Sequence, residues 1–377
     1  FEKSSHTNTQ LSIYINVGIN FFTKKMNRKA ILRHITLTAI VSICSFISIR
    51  AQTKDSLSVK IEDGWIEKID NKIGIDVSLN NSYEIFEVKT EDTKFILYPN
   101  TASNLRFNVN YKFISFGFQF TPDFISGNGE ENLKGNTKSF ELRTALIFKH
   151  WFTDLSYSKV KGYYLKNSDD FITLLEDDPY IQFPDLNYYG FAITTGYSSN
   201  SKFSFRSLTS QTERQLRSAG SFIPSINLRY FIIDDKSSGM STQKSNNFES
   251  SIGPGYAYTF VSREKIYLSL GLLTRIGYLN TKLTTRLPDG DLTTNQDNFI
   301  FRWDGKVGLG YNGTSFYTGL YSTISGTEYR QENTTAINFE TRVFFHLFLG
   351  IRLSTPEYLE RKINKVEKLF QKQNDSN

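Results

Sequence analysis

The chain has 377 residues, of which 15% are aromatic, with one cysteine, two methionines and a formal net charge of +6. Its mean hydropathy of −0.37 excludes a bundle of apolar membrane helices, but it permits a membrane-spanning β-barrel, because only half of a barrel's strand residues face lipid. The excess positive charge lies within residues 1–52, which hold seven basic residues and one acidic residue. The remainder has 37 residues of each sign, so no nucleic-acid partner is expected.

The N-terminal segment has the layout of an export signal. Met26 is followed by a basic stretch over 28–33, an apolar run over 35–49, and Ala51 as a cleavage site. This pattern predicts a secretory signal peptide over residues 26–52, because the apolar run is short for a membrane span; an uncleaved anchor is the alternative. Residues 1–25 are expected to be an upstream extension, and residues 53–71 a periplasmic N-terminal segment.

From Lys72 onward, apolar and polar residues alternate in segment after segment. Successive side chains of a strand point to opposite faces, so each segment has one apolar face and one mostly polar face. The pattern predicts an all-β fold over 72–353, an antiparallel up-and-down transmembrane β-barrel of about 12 (12–14) strands. The alternating segments lie at 73–79, 83–98, 105–113, 114–120, 140–148, 155–157, 189–197, 203–205, 222–230, 252–260, 266–272, 299–311, 316–320 and 338–352.

Short and long connections alternate along these segments, as periplasmic turns and extracellular loops do in barrels. The alternation breaks once, between Phe203 and Tyr258, where a strand is missed or split, or a short turn points outward. A secreted soluble β protein is the competing interpretation. Strand lengths of about 9 to 12 residues favour a membrane barrel, because that length spans a bilayer when tilted. Aromatic residues near strand ends are expected to form girdles; they are Trp151, Tyr188, Trp303 and Tyr311.

Residues 354–377 form a different kind of segment, predicted to be a short C-terminal amphipathic helix and tail. Ser354, Pro356 and Glu357 make a helix start, and apolar residues recur at helical spacing after it. The helix is expected on the periplasmic side. It either packs under the barrel mouth or binds a periplasmic partner.

Four stretches resemble an uncharacterised family from Bacteroidota, domain-of-unknown-function family 4421. They are Tyr98–Asn100, Lys202–Arg206, Gln215–Phe222 and Gly255–Phe260. The resemblance covers roughly residues 68–353. It implies an outer-membrane β-barrel with no assigned activity.

The polar face of the strands supplies the candidate functional residues. This face includes the charged residues Lys112, Lys306, Arg352, Glu141 and Glu249. Charges in a closed lumen must be paired or hydrated. The set therefore fills a narrow barrel with ion pairs, or lines an anion-favouring passage. The main lumen-lining candidates are Arg106, Arg143, Arg206, Arg229, Arg275, Arg302, Asp304, Glu340, Arg342 and His346.

Catalytic and metal chemistry have weak support. His150 and His346 are the two histidines of the exported part, and no G-x-S-x-G motif accompanies them. A lipid-modifying enzyme is a minor alternative only. Acidic residues in the loops follow no metal-binding spacing, so neither a metal nor another cofactor is expected.

The function most favoured by the sequence is that of a non-enzymatic bacterial outer-membrane protein, acting as a narrow pore or small-solute transporter with an Arg-rich lumen. The alternative is a structural, assembly or partner-binding protein without transport. The expected partners are outer-membrane lipid and lipopolysaccharide, the barrel-assembly machinery during insertion, and a periplasmic protein bound through the C-terminal helix.

Overall fold

The structure is a computed structural model that describes residues 60–374, apart from 82–83, 90–93, 126–127, 129, 176, 238–240, 330–335 and 339–341. The upstream extension, the signal peptide and Glu340 lie outside the described residues. The strands are β1 (Lys60–Glu62), β2 (Ile66–Lys68), β3 (Lys72–Asn80), β4 (Phe86–Lys89), β5 (Lys94–Tyr98), β6 (Asn104–Tyr111), β7 (Ile114–Phe120), β8 (Lys138–Ile147), β9 (Trp151–Leu165), β10 (Gln182–Tyr197), β11 (Glu213–Gln215), β12 (Ala219–Phe222), β13 (Ser225–Asp235), β14 (Thr242–Gly253), β15 (Gly255–Ser262), β16 (Ile266–Arg286), β17 (Leu292–Asn312), β18 (Phe316–Tyr329), β19 (Ala336–Asn338) and β20 (Arg342–Ser354). The helices are α1 (Glu131–Lys134), α2 (Arg206–Thr209) and α3 (Glu357–Asn374), with a 3-10 turn at Ser168–Asp170.

Antiparallel pairing runs from strand to strand until the sheet closes on itself. The ring is β3, β6, β7, β8, β9, β10, β13, β14, β16, β17, β18 and β20, and β20 returns to β3. β12 and β15 continue β13 and β14 past Pro224 and Pro254. The predicted all-β barrel is therefore confirmed, with 12 strands in the ring.

Two of the predicted strand segments are not strands of this ring. Residues 203–205 form no strand; they lead into α2, and Phe203 and Phe205 pack inside the molecule. This finding explains the break in loop alternation. Within 83–98, β4 and β5 form a hairpin above the short strands β3, β6 and β7. β4 pairs with β19, and β5 pairs with the end of β9, so the hairpin continues the wall on that side.

The outer surface of the ring is a belt of exposed apolar side chains. A soluble monomer rarely leaves so large a contiguous apolar surface in water, whereas a bilayer solvates it. The chain therefore spans a membrane as a closed barrel, the architecture of the bacterial outer membrane. One belt residue from each strand of the ring, in chain order, is Val77, Val109, Phe116, Phe140, Tyr157, Phe191, Leu228, Phe248, Leu270, Val307, Leu320 and Leu347.

Aromatic side chains mark the end of the belt with the short turns. Trp151 is exposed and contacts Tyr197 edge-on, with ring centroids 5.0 Å apart. Tyr311 stacks on Phe316 at 4.8 Å. The expectation for Tyr188 is wrong, because its side chain is 1% exposed and faces the interior. By parity its neighbour Tyr189 faces outward.

The short connections and both ends of the barrel sequence lie at one end of the ring, which is periplasmic in this class of barrel. The long helix α3 begins there, where the amides of Leu359 and Glu360 donate to the carbonyl of Pro356. Lys112, in the turn between β6 and β7, donates a hydrogen bond to Asn364 of the helix. Within the described chain, no helix combines the length and apolar character that crossing a bilayer requires.

Replacing Leu270, in the middle of the belt, with arginine should destabilise the barrel by about 2–4 kcal/mol, because the charge enters the acyl chains. Leu292, 59% exposed at the far end of β17, is the matched control, where the same change should cost at most about 1 kcal/mol. Urea titration of folding into lipid vesicles measures both values. Equal costs at the two positions would contradict the placement of the belt.

Candidate functional site in the closed lumen

The connection between β10 and β12 turns into the barrel instead of forming a short turn. We call residues 198–218, together with β1 and β2, the plug. β11 of this connection pairs with β2 in a three-stranded sheet of order β1–β2–β11. Arg214 and Glu67 form an ion pair within that sheet, and the amide of Leu216 donates to the carbonyl of Trp65 at 2.8 Å.

The plug is hydrogen-bonded to the wall at several points around the ring. The Nε atom of Arg206 donates to the carbonyl of Ile147 at the end of β8, at 2.6 Å. The hydroxyl of Thr212 donates to the carbonyl of Lys112 at 2.8 Å. Gln211 contacts the hydroxyl of Tyr321 on β18 at 3.4 Å. These contacts fix the plug to three separate parts of the wall.

Arg352 of β20 adds a fourth attachment. Its guanidinium is buried and donates to the carbonyl of Gln211 and to Oδ1 of Asn312, each at 2.5 Å. Asn312, at the end of β17, donates in turn to the carbonyl of Glu213 at 3.0 Å. Most of these bonds end on backbone carbonyls of the plug or wall, so they fix the path of the chain.

Apolar packing seals the space between the plug and the wall. Phe205 of the plug stacks on Phe152 of β9, with ring centroids 4.2 Å apart. The buried apolar cluster at this level comprises Ile147, Phe152, Phe203, Ala219, Ile223 and Ala257. The plug therefore packs against the wall within the periplasmic end of the lumen.

A second apolar layer lies in the lumen towards the extracellular end. Phe86 of the β4–β5 hairpin is 1% exposed, and its ring centroid lies 5.4 Å from Tyr163 and 5.6 Å from Tyr188. Five strands of the wall and the β4–β5 hairpin contribute to this layer. Its buried members are Phe86, Val160, Tyr163, Leu186, Tyr188, Phe231, Ile233, Leu279 and Ile300.

A layer of ion pairs lies next to this apolar layer. Arg229 contacts Glu84 at 2.9 Å and Glu249 at 3.9 Å, and it donates to the hydroxyl of Tyr188 at 2.8 Å. Arg302 contacts the same Oε2 atom of Glu249 at 3.2 Å. Glu249 is 1% exposed, so its charge depends on these two arginines for compensation.

Above the plug the lumen contains a chamber of about 540 Å³. Its floor is formed by the plug residues Phe205, Leu208, Thr209 and Gln211. Its wall carries ion pairs: Arg143 with Asp154, Arg275 with Asp304, and Arg106 with Glu141 at 2.8 Å. Among the lining carboxylates, Asp76 accepts hydrogen bonds from Asn108 at 2.5 Å, from Asn110 at 2.8 Å and from Tyr317 at 3.0 Å.

Lys306 is the exception in this wall. It lines the chamber and is exposed to it, yet it forms no ion pair or hydrogen bond with any residue that the structure describes. The charged groups that act on it are Asp304, Arg143, Arg275 and Asp154, and both carboxylates already pair with arginines. The chamber thus offers one cation that is available to a small anion.

The profile of the family described as "Domain of unknown function (DUF4421)" matches residues 60–352. The chain belongs to this family. Membership assigns no activity. Comparison with curated proteins gives no match.

Solved structures show only distant similarity. OmpT, an outer membrane protein of Vibrio cholerae, is 9% identical, with 79% of this chain and 100% of that chain covered and a TM-score of 0.31. The outer membrane protease OmpT from Escherichia coli is 8% identical, with coverage of 80% and 99% and a TM-score of 0.32. The β domain of the Bordetella autotransporter Brka is 10% identical, with coverage of 76% and 100% and a TM-score of 0.35. Similarities at this level carry no argument about this chain.

The candidates selected from the sequence fall into different parts of the lumen of this family member. Arg229 and Arg302 belong to the ion-pair layer. Arg206 lies in the plug, on α2 and not on a strand as the alternation suggested, because the chain leaves the wall after Tyr197. Arg342 begins β20, and Glu340 lies outside the described residues. The candidates that line the chamber are Arg106, Arg143, Arg275, Asp304 and His346.

Sequence reasoning missed the plug and its anchors. Thr212, Gln211 and Tyr321 occur in no strand-like or motif-like pattern that singles them out. The available signal was indirect: the connection after Tyr197 is long, although it lies at the end of the barrel where turns are short.

The two histidines make no pairing suited to nucleophilic catalysis within the described part of the chain. Nδ1 of His150 contacts the carbonyl of Ser198 at 2.7 Å. His346 lies beside Phe348, with ring centroids 5.6 Å apart, and it bonds to no hydroxyl or carboxylate among the described side chains.

Replacing Glu249 with alanine should destabilise the folded barrel by about 3–5 kcal/mol, because Arg302 and Arg229 lose a buried counter-charge. The exposed pair of Glu130 with Lys134 supplies the control, since Glu130→Ala should cost at most about 1 kcal/mol. Urea titration in vesicles compares the two. A cost for Glu249→Ala no larger than the control would show that the ion-pair layer does not hold the wall.

Proposed function

We propose that the protein is a closed outer-membrane barrel whose resting lumen conducts no solute, and that it acts as a structural or partner-binding protein. The plug carries this proposal. Arg206, Thr212, Gln211 and Arg352 hold it to parts of the wall spread around the ring, which supports a lumen that the plug blocks. The apolar layer around Phe86 supports the proposal from the opposite end of the lumen.

A narrow pore or small-solute transporter is the second candidate, and the chamber favours it. A cavity of about 540 Å³ lined by arginines and by Lys306 suits a small anion such as a carboxylate or a phosphate. Passage through the lumen requires both the plug and the Phe86 layer to move. The resting structure therefore suits binding better than flow.

A non-enzymatic role is part of the proposal, since neither histidine lies against a nucleophile among the described residues. The Bacteroidota origin implied by the sequence resemblance stays a prediction. The same holds for the assembly machinery and for a periplasmic protein bound through α3.

In planar lipid bilayers the wild-type barrel should give no channel events, because the plug blocks the lumen. A variant in which residues 200–217 are replaced by about six Gly and Ser residues should give channel events when the Phe86 layer fluctuates. Arg352→Ala removes the bond to Gln211 of the plug and the bond that orients Asn312, so it is a milder second variant and should give intermittent events. Steady conductance by the folded wild-type barrel would overturn the closed-barrel proposal.

The pore alternative makes a separate prediction about ion preference. In the plug-replaced barrel, Lys306→Glu should shift the reversal potential in a salt gradient towards cations, because the unpaired cation of the chamber is replaced by an anion. Lys306→Arg keeps the charge and serves as the control. An unchanged reversal potential in Lys306→Glu would remove the chamber from any role in anion passage.

A further inference from the structure

Three lysines lie together on the outer surface of β8 and β9, at the extracellular edge of the belt. Lys138 is directly opposite Lys161 on the neighbouring strand, and Phe140 is opposite Lys159. All three lysines are exposed and share the parity of the belt residues. We call Lys138, Lys159 and Lys161 the rim lysines.

The electrostatics of the rim lysines are unfavourable without a bound anion. Like charges directly opposite each other on adjacent strands destabilise a sheet. Asp185 compensates only Lys161, at 2.9 Å, and both partners of this pair are about half exposed. Lys138 forms no ion pair with a described residue, and Lys159 lies over the ring of Tyr189 at 5.4 Å. The patch therefore keeps an excess of positive charge.

The surface below the rim lysines is apolar. Phe140 and Tyr157 are 41% and 38% exposed; Phe140 lies directly opposite Lys159, and Tyr157 lies two residues from Lys159 towards the middle of the belt. A free anion gains nothing from this surface. A lipid with an anionic head group can contact the lysines with its head group and the aromatic rings with its acyl chains.

We propose that the rim lysines bind a phosphate group on the lipid anchor of lipopolysaccharide. The patch lies at the end of the barrel with the long loops, which faces the outer leaflet. Each lysine near a membrane surface contributes attraction to anionic lipid, and three of them converge on one site. The cross-strand pair of Lys138 and Lys161 is then bridged by the phosphate oxygens.

The test measures binding of purified lipid A to the detergent-solubilised barrel by native mass spectrometry. The rim variant combines Lys138→Gln, Lys159→Gln and Lys161→Gln. It should bind lipid A at least about tenfold more weakly than wild type. The matched control combines Lys244→Gln on β14 and Lys282→Gln on β16 with Lys265→Gln in the turn between β15 and β16, which removes the same charge away from the rim lysines. The control should retain lipid A binding within about twofold of wild type.

Two further probes separate the possible ligands. Lipid A without its phosphates should bind wild type and the rim variant equally. Inorganic phosphate at millimolar concentration should not displace lipid A, because it cannot use the apolar surface. Equal binding of intact lipid A by the rim variant and wild type would overturn the proposal, as would full displacement by inorganic phosphate. Neither result depends on whether the lumen conducts.

Discussion

Closure of the backbone ladder is the constraint on which the rest of the structure depends. Acyl chains offer no hydrogen bonds, so every strand of the membrane-spanning part needs a partner on both sides. The pairing of β20 with β3 completes this requirement, with nine residue pairs from His346 and Asn80 to Ser354 and Lys72. Once the ring closes, the alternation of side chains has a fixed meaning. One face of each strand contacts lipid, and the other must be accommodated in a confined interior.

The interior accommodates the inward-facing side chains by placing small residues next to large ones. The ring of Tyr317 lies so close to Gly350 that a Cβ atom there would stand 2.3 Å from it, and Tyr321 lies equally close to Gly308. The glycines therefore make room for tyrosines, whose hydroxyls reach Asp76 and the plug. Charged groups follow the same logic, because arginine and carboxylate partners neutralise each other in the confined interior.

The outward-facing residues of the barrel could be predicted from the sequence. Many of the contacts among its inward-facing residues could not. Period-two alternation reports which face a residue occupies, so the belt and the inward direction of Arg275 or Asp304 follow directly from it. It does not report which inward groups meet, because partners such as Arg302 and Glu249 come from strands that are separated along the chain. Period-two alternation does not predict the plug either, for a different reason. Residues 198–218 adopt no regular period, and their path is set by contacts with wall residues such as Arg352 and Lys112.

The way the plug is anchored bears on what the closed state is for. Its attachments reach the β6–β7 turn, β8, β18 and β20, so the plug cannot tilt away from one side without breaking bonds on another. Its own ion pair of Arg206 with Glu213 is buried, and moving it as an intact unit exposes apolar residues such as Phe203. If the barrel is closed as proposed, passage requires a partner that binds the displaced plug more tightly than the wall does.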